Sequence, residues 1–149
     1  MKYQKKQNAI ILLADGTKVW LYDNAKLDYP TNFATDIRSV KLTGEAFFEV
    51  AKDAAKPFVI QAGAANIRVL GTSFNVNSNE GETKVIVATG KVEVSNTKHE
   101  KAIITPGKSA IVKDDKVMAF DNKNPNYLAW KTGQFVFKDA AIQEVINDL

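Results

Sequence analysis

The stretch Val40-Lys-Leu-Thr-Gly-Glu-Ala-Phe-Phe-Glu-Val50 decides the fold class. Apolar or small residues recur at every second position, which is the period of a strand with one buried face. That face is formed by Val40, Leu42, Gly44, Ala46, Phe48 and Val50. The opposite face is formed by Thr43, Glu45, Phe47 and Glu49. The spacing therefore predicts a long β-strand with one face in a core.

Shorter segments of the same kind occur along most of the chain and are separated by turn residues. Asp15-Gly16 separates two of them, residues 10–13 and 17–21, and suits the φ > 0 positions of a tight hairpin. Further predicted strands cover residues 58–61, 67–70, 73–77, 84–88, 91–95, 102–105, 109–113 and 117–120. Many short strands with regular turns predict a two-sheet antiparallel β-sandwich of jelly-roll type over residues 9–126. A parallel β-helix is the alternative, since short strands with glycine turns can also stack in that way.

The composition agrees with an all-β domain. The chain has 14 Val, 11 Ile and 10 Thr against 8 Leu, and side chains branched at Cβ favour strands. With 45% hydrophobic and 25% charged residues, the 149-residue chain can build a core and is not expected to be disordered. Cysteine is absent, which excludes disulfides, thiolate zinc sites and a cysteine nucleophile. The longest apolar run, residues 9–14, is far shorter than the ~20 residues of a membrane helix.

The net charge of +3 is concentrated in a basic N-terminal tail, residues 1–8, which contains Lys2, Lys5 and Lys6. Without these three, the remaining basic residues number 17 and balance the 17 acidic ones. Nucleic-acid binding normally needs a basic face or groove. We therefore expect no nucleic-acid partner.

Three patterns that resemble catalytic sites fail on spacing or composition. Glu45 and Glu49 share a strand face but lie about 13 Å apart, beyond the ~5–9.5 Å of glycosidase carboxyl pairs. Gly107-Lys108-Ser109 matches the end of a phosphate-binding loop, but Ala102 replaces its first glycine and a strand is predicted next instead of a helix. His99 is the only histidine, too few for a histidine-based metal site. We expect no enzymatic activity, no metal and no organic cofactor.

The composition changes after the last predicted strand. Residues 121–126 are turn formers without an apolar residue, which is typical of a linker. Residues 134–137 are strand-like, and Asp139 is a suitable N-cap for a helix. At i, i+3, i+4 and i+7 that helix would carry Ile142, Val145, Ile146 and Leu149. We interpret residues 127–149 as the truncated start of a small α+β domain.

A set of motifs occurs in an order that is specific to one family. They are Leu13-Ala-Asp-Gly-Thr-Lys-Val-Trp-Leu21, Leu27-Asp-Tyr-Pro30, Leu42-Thr-Gly-Glu-Ala-Phe-Phe-Glu-Val-Ala51, Lys56-Pro-Phe58, Val69-Leu-Gly-Thr-Ser-Phe-Asn-Val76, Gly90-Lys-Val-Glu-Val94, Pro106-Gly107 and Ala129-Trp-Lys-Thr-Gly-Gln-Phe-Val-Phe137. Across residues 9–149 the chain resembles the periplasmic part of FecR-family proteins, anti-sigma factors or sigma regulators, in the form common in Bacteroidetes. The resemblance implies the same β-sandwich, followed by a domain similar to the signalling domain of TonB-dependent transporters.

The resemblance also implies a function. In that family a cytoplasmic sigma-binding segment and one transmembrane helix precede the periplasmic part, so we expect these residues to belong to a longer inner-membrane protein. An outer-membrane TonB-dependent transporter would contact the periplasmic region, and the signal would pass to an extracytoplasmic-function sigma factor. The alternative function is a secreted carbohydrate-binding β-sandwich with Trp20 and Tyr22 as a stacking platform, although no polar cluster or calcium-ligand pattern accompanies them.

The candidate partner-binding residues lie in the C-terminal segment: Trp130, Ile142, Val145, Ile146 and Leu149. An indole often lies at an interface, and an isolated helix of about eleven residues is marginal in water and needs a packing partner. Because the linker separates the segment from the sandwich, we expect the stripe to fray or to dock on another molecule rather than fold back. The predicted core residues are, by contrast, Phe48, Phe58, Phe74, Val76, Val92 and Val94.

Overall fold

The computed structural model describes residues 2–4, 9–22, 24–79, 81–113 and 115–121. These residues form thirteen strands and no helix. In chain order the strands are β1 (Lys2–Gln4), β2 (Ala9–Leu12), β3 (Lys18–Leu21), β4 (Lys26–Asp28), β5 (Arg38–Glu49), β6 (Phe58–Ala62), β7 (Ala65–Val69), β8 (Ser73–Asn79), β9 (Glu82–Thr89), β10 (Val92–Ser95), β11 (Lys101–Ile104), β12 (Lys108–Lys113) and β13 (Lys116–Asp121). Every strand predicted within residues 9–121 overlaps one of these, so the all-β class is confirmed.

The strands form two sheets that share β5. Sheet A has the spatial order β1-β4-β5-β6-β7-β10-β11, and sheet B has the order β2-β3-β5-β8-β9-β12-β13. Residues 38–43 of β5 pair with β4 and β6, whereas residues 44–49 pair with β3 and β8. At the far side β11 approaches β12 and β13, so the sandwich is nearly closed into a barrel.

The change of sheet within β5 takes place at Gly44. Its φ of +94° lies in a region that L side chains rarely adopt. A Cβ at this position would also lie 2.9 Å from the Cα of Ala25. Glycine therefore meets two demands, the bend of the strand and the close passage of a neighbouring backbone.

One pairing differs from the predicted antiparallel sandwich. β5 and β6 are parallel, with Arg38 opposite Phe58 and Leu42 opposite Ala62, whereas the other described pairings are antiparallel. The reason is the path of β5, which starts in sheet A and ends in sheet B. Residues 50–57 return the chain to the start of β5, where the Arg38 N–H donates to the Pro57 carbonyl, so β6 runs in the same direction. The alternative β-helix is wrong, because it would need parallel pairing throughout.

The core lies between the two sheets. The Phe48 ring stacks on Phe74 at a centroid distance of 5.4 Å and meets the Phe58 ring edge-on at 6.3 Å. All six predicted core residues are fully buried: Phe48, Phe58, Phe74, Val76, Val92 and Val94. The prediction of the core from alternation is confirmed.

Two further predictions concern the ends of the chain. Residues 2–4 of the predicted basic tail form β1, which pairs with β4 at the edge of sheet A. Residues 122–149 lie outside the described residues, and with them the predicted start of the second domain. The domain boundaries therefore remain a prediction.

Candidate interaction surface

The outer face of sheet B presents one residue from each of its strands in a single row. From β2 to β13, the cross-strand register aligns Ile10, Trp20, Phe47, Asn75, Ile86, Ser109 and Phe120. We call these residues the B row. All but Asn75 and Ser109 are apolar or aromatic, so the row forms an apolar stripe across the whole sheet.

The middle of the B row is buried although it faces away from the core. The exposed fractions there are 4% for Phe47, 3% for Asn75, 5% for Ile86 and 0% for Ser109. The ends of the row are open, since Ile10 is 62% exposed and Phe120 39%. Neither Phe47 nor Ile86 belongs to the core cluster between the sheets. The stripe is therefore a second buried apolar region, on the outside of the sandwich.

The two aromatic residues of the alternative sugar platform lie on this same face. Trp20 is half-buried, and its ring meets the Phe47 ring edge-on with centroids 5.8 Å apart. Tyr22 is 40% exposed at the end of β3. Trp20 is thus part of the packing of the B row rather than a ring that stands alone over solvent.

Two polar side chains interrupt the apolar stripe. The Asn75 amide Nδ2 donates a hydrogen bond to Glu45 Oε2 at 2.9 Å. Among the described residues, the buried atoms Asn75 Oδ1 and Ser109 Oγ have no hydrogen-bond partner. Leaving such atoms without a partner costs free energy, so the middle of the row offers two acceptors for a donor from another group.

The outer face of sheet A has the opposite character. Its central cross-strand row consists of Asp28, Lys41, Gln61, Asn66, Ser95 and Lys101, which we call the A row. Lys41, Gln61, Asn66 and Lys101 are exposed, and the other two are half-buried. This is the usual surface of a sheet that packs a core on one side and meets water on the other.

A buried arginine that the sequence did not single out holds one end of the sandwich together. Arg38 is 1% exposed, and its Nη1 donates to Asp15 Oδ2 at 2.9 Å. The guanidinium also lies 5.4 Å from the centroid of the Phe58 ring. Its remaining hydrogen bonds go to the main-chain carbonyls of Ala51, Asp53, Lys56 and Leu70. All these partners belong to the protein, so the charge is structural and not presented to a ligand.

The Asp15 carboxylate extends this network into the β2–β3 hairpin. It accepts hydrogen bonds from the Thr17 N–H at 2.9 Å and the Thr17 hydroxyl at 2.7 Å. Thr17 Oγ1 in turn accepts one from the Ala51 N–H. In the sequence, only the residue type distinguishes Arg38, because the chain has 18 Lys and two Arg. A guanidinium can satisfy several buried carbonyls at once, which a lysine cannot do as well.

The residues weighed as catalytic candidates are not brought together. Glu45 and Glu49 lie on β5, and His99 is exposed in the turn between β10 and β11 with φ of +68°. Lys108 begins β12, so a strand and not a helix follows Gly107, as predicted. Within the described ranges, no three His, Cys, Asp or Glu side chains are grouped as they would be around a metal ion.

The predicted partner-binding residues Trp130, Ile142, Val145, Ile146 and Leu149 lie outside the described residues. Their role stays a prediction. The sequence did not predict the B row. Alternation placed Phe47 on the outward face of β5, but it did not indicate which residues of other strands lie beside Phe47.

Comparison with known proteins decides the family. The family model described as FecR protein matches residues 1–93. The chain belongs to the FecR family. Two crystal structures of a "putative anti-sigma factor" from Parabacteroides distasonis are similar to this FecR-family chain, each with 33% sequence identity and a TM-score of 0.82. Each alignment covers 99% of this chain and 72% of that chain. No curated protein matches.

These matches assign this FecR-family domain a signalling or regulatory role. The family and the similar structures are regulators of the anti-sigma type and not enzymes. A membrane-spanning helix is not found among the described residues, none of which forms a helix long and apolar enough.

Proposed function

We propose that this domain is the periplasmic relay of a single-pass inner-membrane sigma regulator. It receives a signal from the signalling domain of an outer-membrane TonB-dependent transporter and passes it to an extracytoplasmic-function sigma factor. The observation that carries the proposal is the similarity over 99% of the chain to an anti-sigma factor structure. An apolar stripe on one outer face, with catalytic candidates that remain apart, also suits protein contact better than chemistry.

The partner contact is proposed for the C-terminal segment. Ile142, Val145, Ile146 and Leu149 are spaced to form one apolar face of a short helix, and Trp130 precedes them. A helix of this length needs a packing partner in water. The remainder of the second domain together with the transporter's signalling domain would supply it.

The proposed apolar face of the C-terminal helix can be tested in the full-length protein with the variant Val145→Asp/Ile146→Asp. Two carboxylates in an apolar contact carry a large desolvation cost, so we expect sigma-dependent reporter expression to lose its response to the transporter's inducer. The matched control is Gln143→Asp/Asn147→Asp, which adds the same charge on another side of the helix and should leave the response intact. An unchanged response in the first variant would contradict the proposal that this helix face contacts the partner.

The partner itself is tested by capture. The periplasmic region, immobilised, should retain one of the transporter signalling domains encoded in the same genome, and the Val145→Asp/Ile146→Asp variant should retain it less. If no signalling domain is retained while a glycan array gives a signal that depends on Trp20, the alternative carbohydrate-binding function replaces the relay.

A further inference from the structure

A cleft of about 400 Å³ opens on the outer face of sheet A, where β7 passes into the loop before β8. Among the described residues that line it are Arg68, Leu70, Thr72, Lys91, Glu93 and Ile103, and we call these six the A cleft. No member of the A row lines it. The A cleft is therefore a separate feature of the same face.

The strand register sets the arrangement of side chains in the A cleft. It places Glu93 between Arg68 of β7 and Ile103 of β11, and two residues further along it places Leu70 beside Lys91. Strands lie about 4.8 Å apart and alternate residues of a strand about 6.7 Å apart, so the Cα atoms of Arg68 and Lys91 are about 8 Å apart on one diagonal. Leu70 and Ile103 lie on the crossing diagonal, about 12 Å apart. The A cleft is therefore cationic along one diagonal and apolar along the other.

The two cations of the A cleft are available to an anion. Arg68 and Lys91 are exposed, and neither forms an ion pair with a carboxylate of the described residues. The one carboxylate among the six, Glu93, lies 4.0 Å from Lys101 Nζ outside the cleft. Two cations against one shared carboxylate leave the cleft positive. A guanidinium and an ammonium so placed suit carboxylate groups, which the guanidinium can bind through two parallel hydrogen bonds.

The rest of the A cleft is apolar at its rim and fixed at its floor. Leu70 is 45% exposed and Ile103 60%, so apolar surface lies open beside the cations. Thr72 is 5% exposed, and its Oγ1 has no hydrogen-bond partner among the described residues. A Cβ on Gly90 would lie 2.5 Å from Thr72 Cγ2 and 3.1 Å from the Gly71 carbonyl oxygen, so only glycine allows the two loops to approach this closely. The floor is therefore preformed and offers a hydroxyl for hydrogen bonding.

We infer that the A cleft binds an extended acidic segment of a protein partner. Side chains two positions apart in an extended segment share a face and lie about 7 Å apart, close to the separation of the two cations. Two such carboxylates contact Arg68 and Lys91, and an apolar side chain on the same face packs against Leu70. A concave site with a recessed hydroxyl suits a peptide better than the flat surface of a lipid bilayer. The inference does not depend on the relay, so it can fail while the proposed function stands, and the reverse.

The probe is the capped, fluorescein-labelled peptide glutamate-serine-glutamate-serine-leucine, titrated with the full chain and followed by fluorescence anisotropy. At about 0.15 M salt, where distant charges are screened, we expect a dissociation constant below about 1 mM. Arg68→Glu/Lys91→Glu should weaken binding at least about tenfold, because each peptide carboxylate then meets a like charge. The control Lys41→Glu/Lys116→Glu makes the same change of net charge at exposed positions outside the cleft and should alter the affinity by less than about twofold. Absence of binding, or an equal loss in both variants, would overturn the inference.

Two further measurements locate the site without relying on the variants. In the unaltered ¹⁵N-labelled chain, the peptide should shift the amide signals of residues 68–72 and 91–93 more than those of the A row, and larger shifts elsewhere would place binding outside the cleft and overturn the inference. The chain should also fail to sediment with phosphatidylglycerol vesicles through the same cations. If vesicles retain the unaltered chain but not Arg68→Glu/Lys91→Glu, while the peptide does not bind, the A cleft contacts a lipid surface and the inference is wrong.

Discussion

Sheets A and B share the strand β5 and the core between them, but their outer faces differ in composition. Across the middle of sheet A run Lys41, Gln61 and Asn66, all exposed. Across the middle of sheet B run Phe47, Asn75 and Ile86, all buried. A sheet with water on one side alternates apolar and polar residues, and the middle of sheet A follows that rule whereas the middle of sheet B does not. The difference teaches that the middle of sheet A is an ordinary solvent face, whereas the middle of the outer face of sheet B is withdrawn from solvent.

The largest expected change in stability comes from Arg38, the first residue of β5, which is the strand shared by the two sheets. Arg38→Met removes the donors to Asp15 and to four carbonyls, and should lower the free energy of unfolding by about 3–5 kcal/mol in urea denaturation. Arg68→Met, at the only other arginine and exposed on sheet A, should change it by less than about 0.5 kcal/mol. Similar losses in both variants would show that the buried network contributes little.

The contrast between the faces can be broken at Phe47. Phe47→Asp puts an unpaired charge at a position that is 4% exposed, and we expect a loss of about 3 kcal/mol or more in the same denaturation experiment. Gln61→Asp, on strand β6 of sheet A, should lower the free energy of unfolding by less than about 0.5 kcal/mol, because the carboxylate there meets water. If the two variants unfold at the same urea concentration, the B row is a solvent face like the A row.

The passage of β5 between the two faces depends on Gly44. Gly44→Ala combines an unfavourable positive φ with a Cβ 2.9 Å from the Ala25 backbone, so it should cost about 1–3 kcal/mol. Gly81→Ala is the matched control, with φ of +79° and no atom within 4 Å of the added Cβ. It should cost about 1 kcal/mol, the part due to φ alone. Equal costs at the two positions would mean that the backbone at Ala25 yields to the methyl group.

The smallest effect is expected from small ligands. Neither outer face groups three metal-ligating side chains in the described residues, and the sequence carries no phosphate-binding loop. Isothermal titration of the chain with calcium, zinc and ATP should therefore give no binding tighter than millimolar. A micromolar site for any of them would contradict this prediction and show that the chain binds a small ligand.

Much of the fold followed from local pattern. The period-two alternation from Val40 to Val50 predicted both faces of β5 correctly, including the outward position of Phe47. Asp15-Gly16 predicted the hairpin, where Gly16 adopts φ of +92°. β4 escaped prediction because Lys26–Asp28 is too short to show a period, although Leu27 is fully buried.

The sequence by itself determined which residues share a strand and which side of it they occupy, since alternation is a property of consecutive residues. The tertiary structure decided which strands are neighbours. Only that pairing aligned Trp20, Phe47 and Ile86 into one stripe, made β5 and β6 parallel, and brought Asp15 to Arg38. Contacts between residues far apart in sequence depend on how β5 bends at Gly44 and how the chain returns to its start, and no local pattern encodes that path.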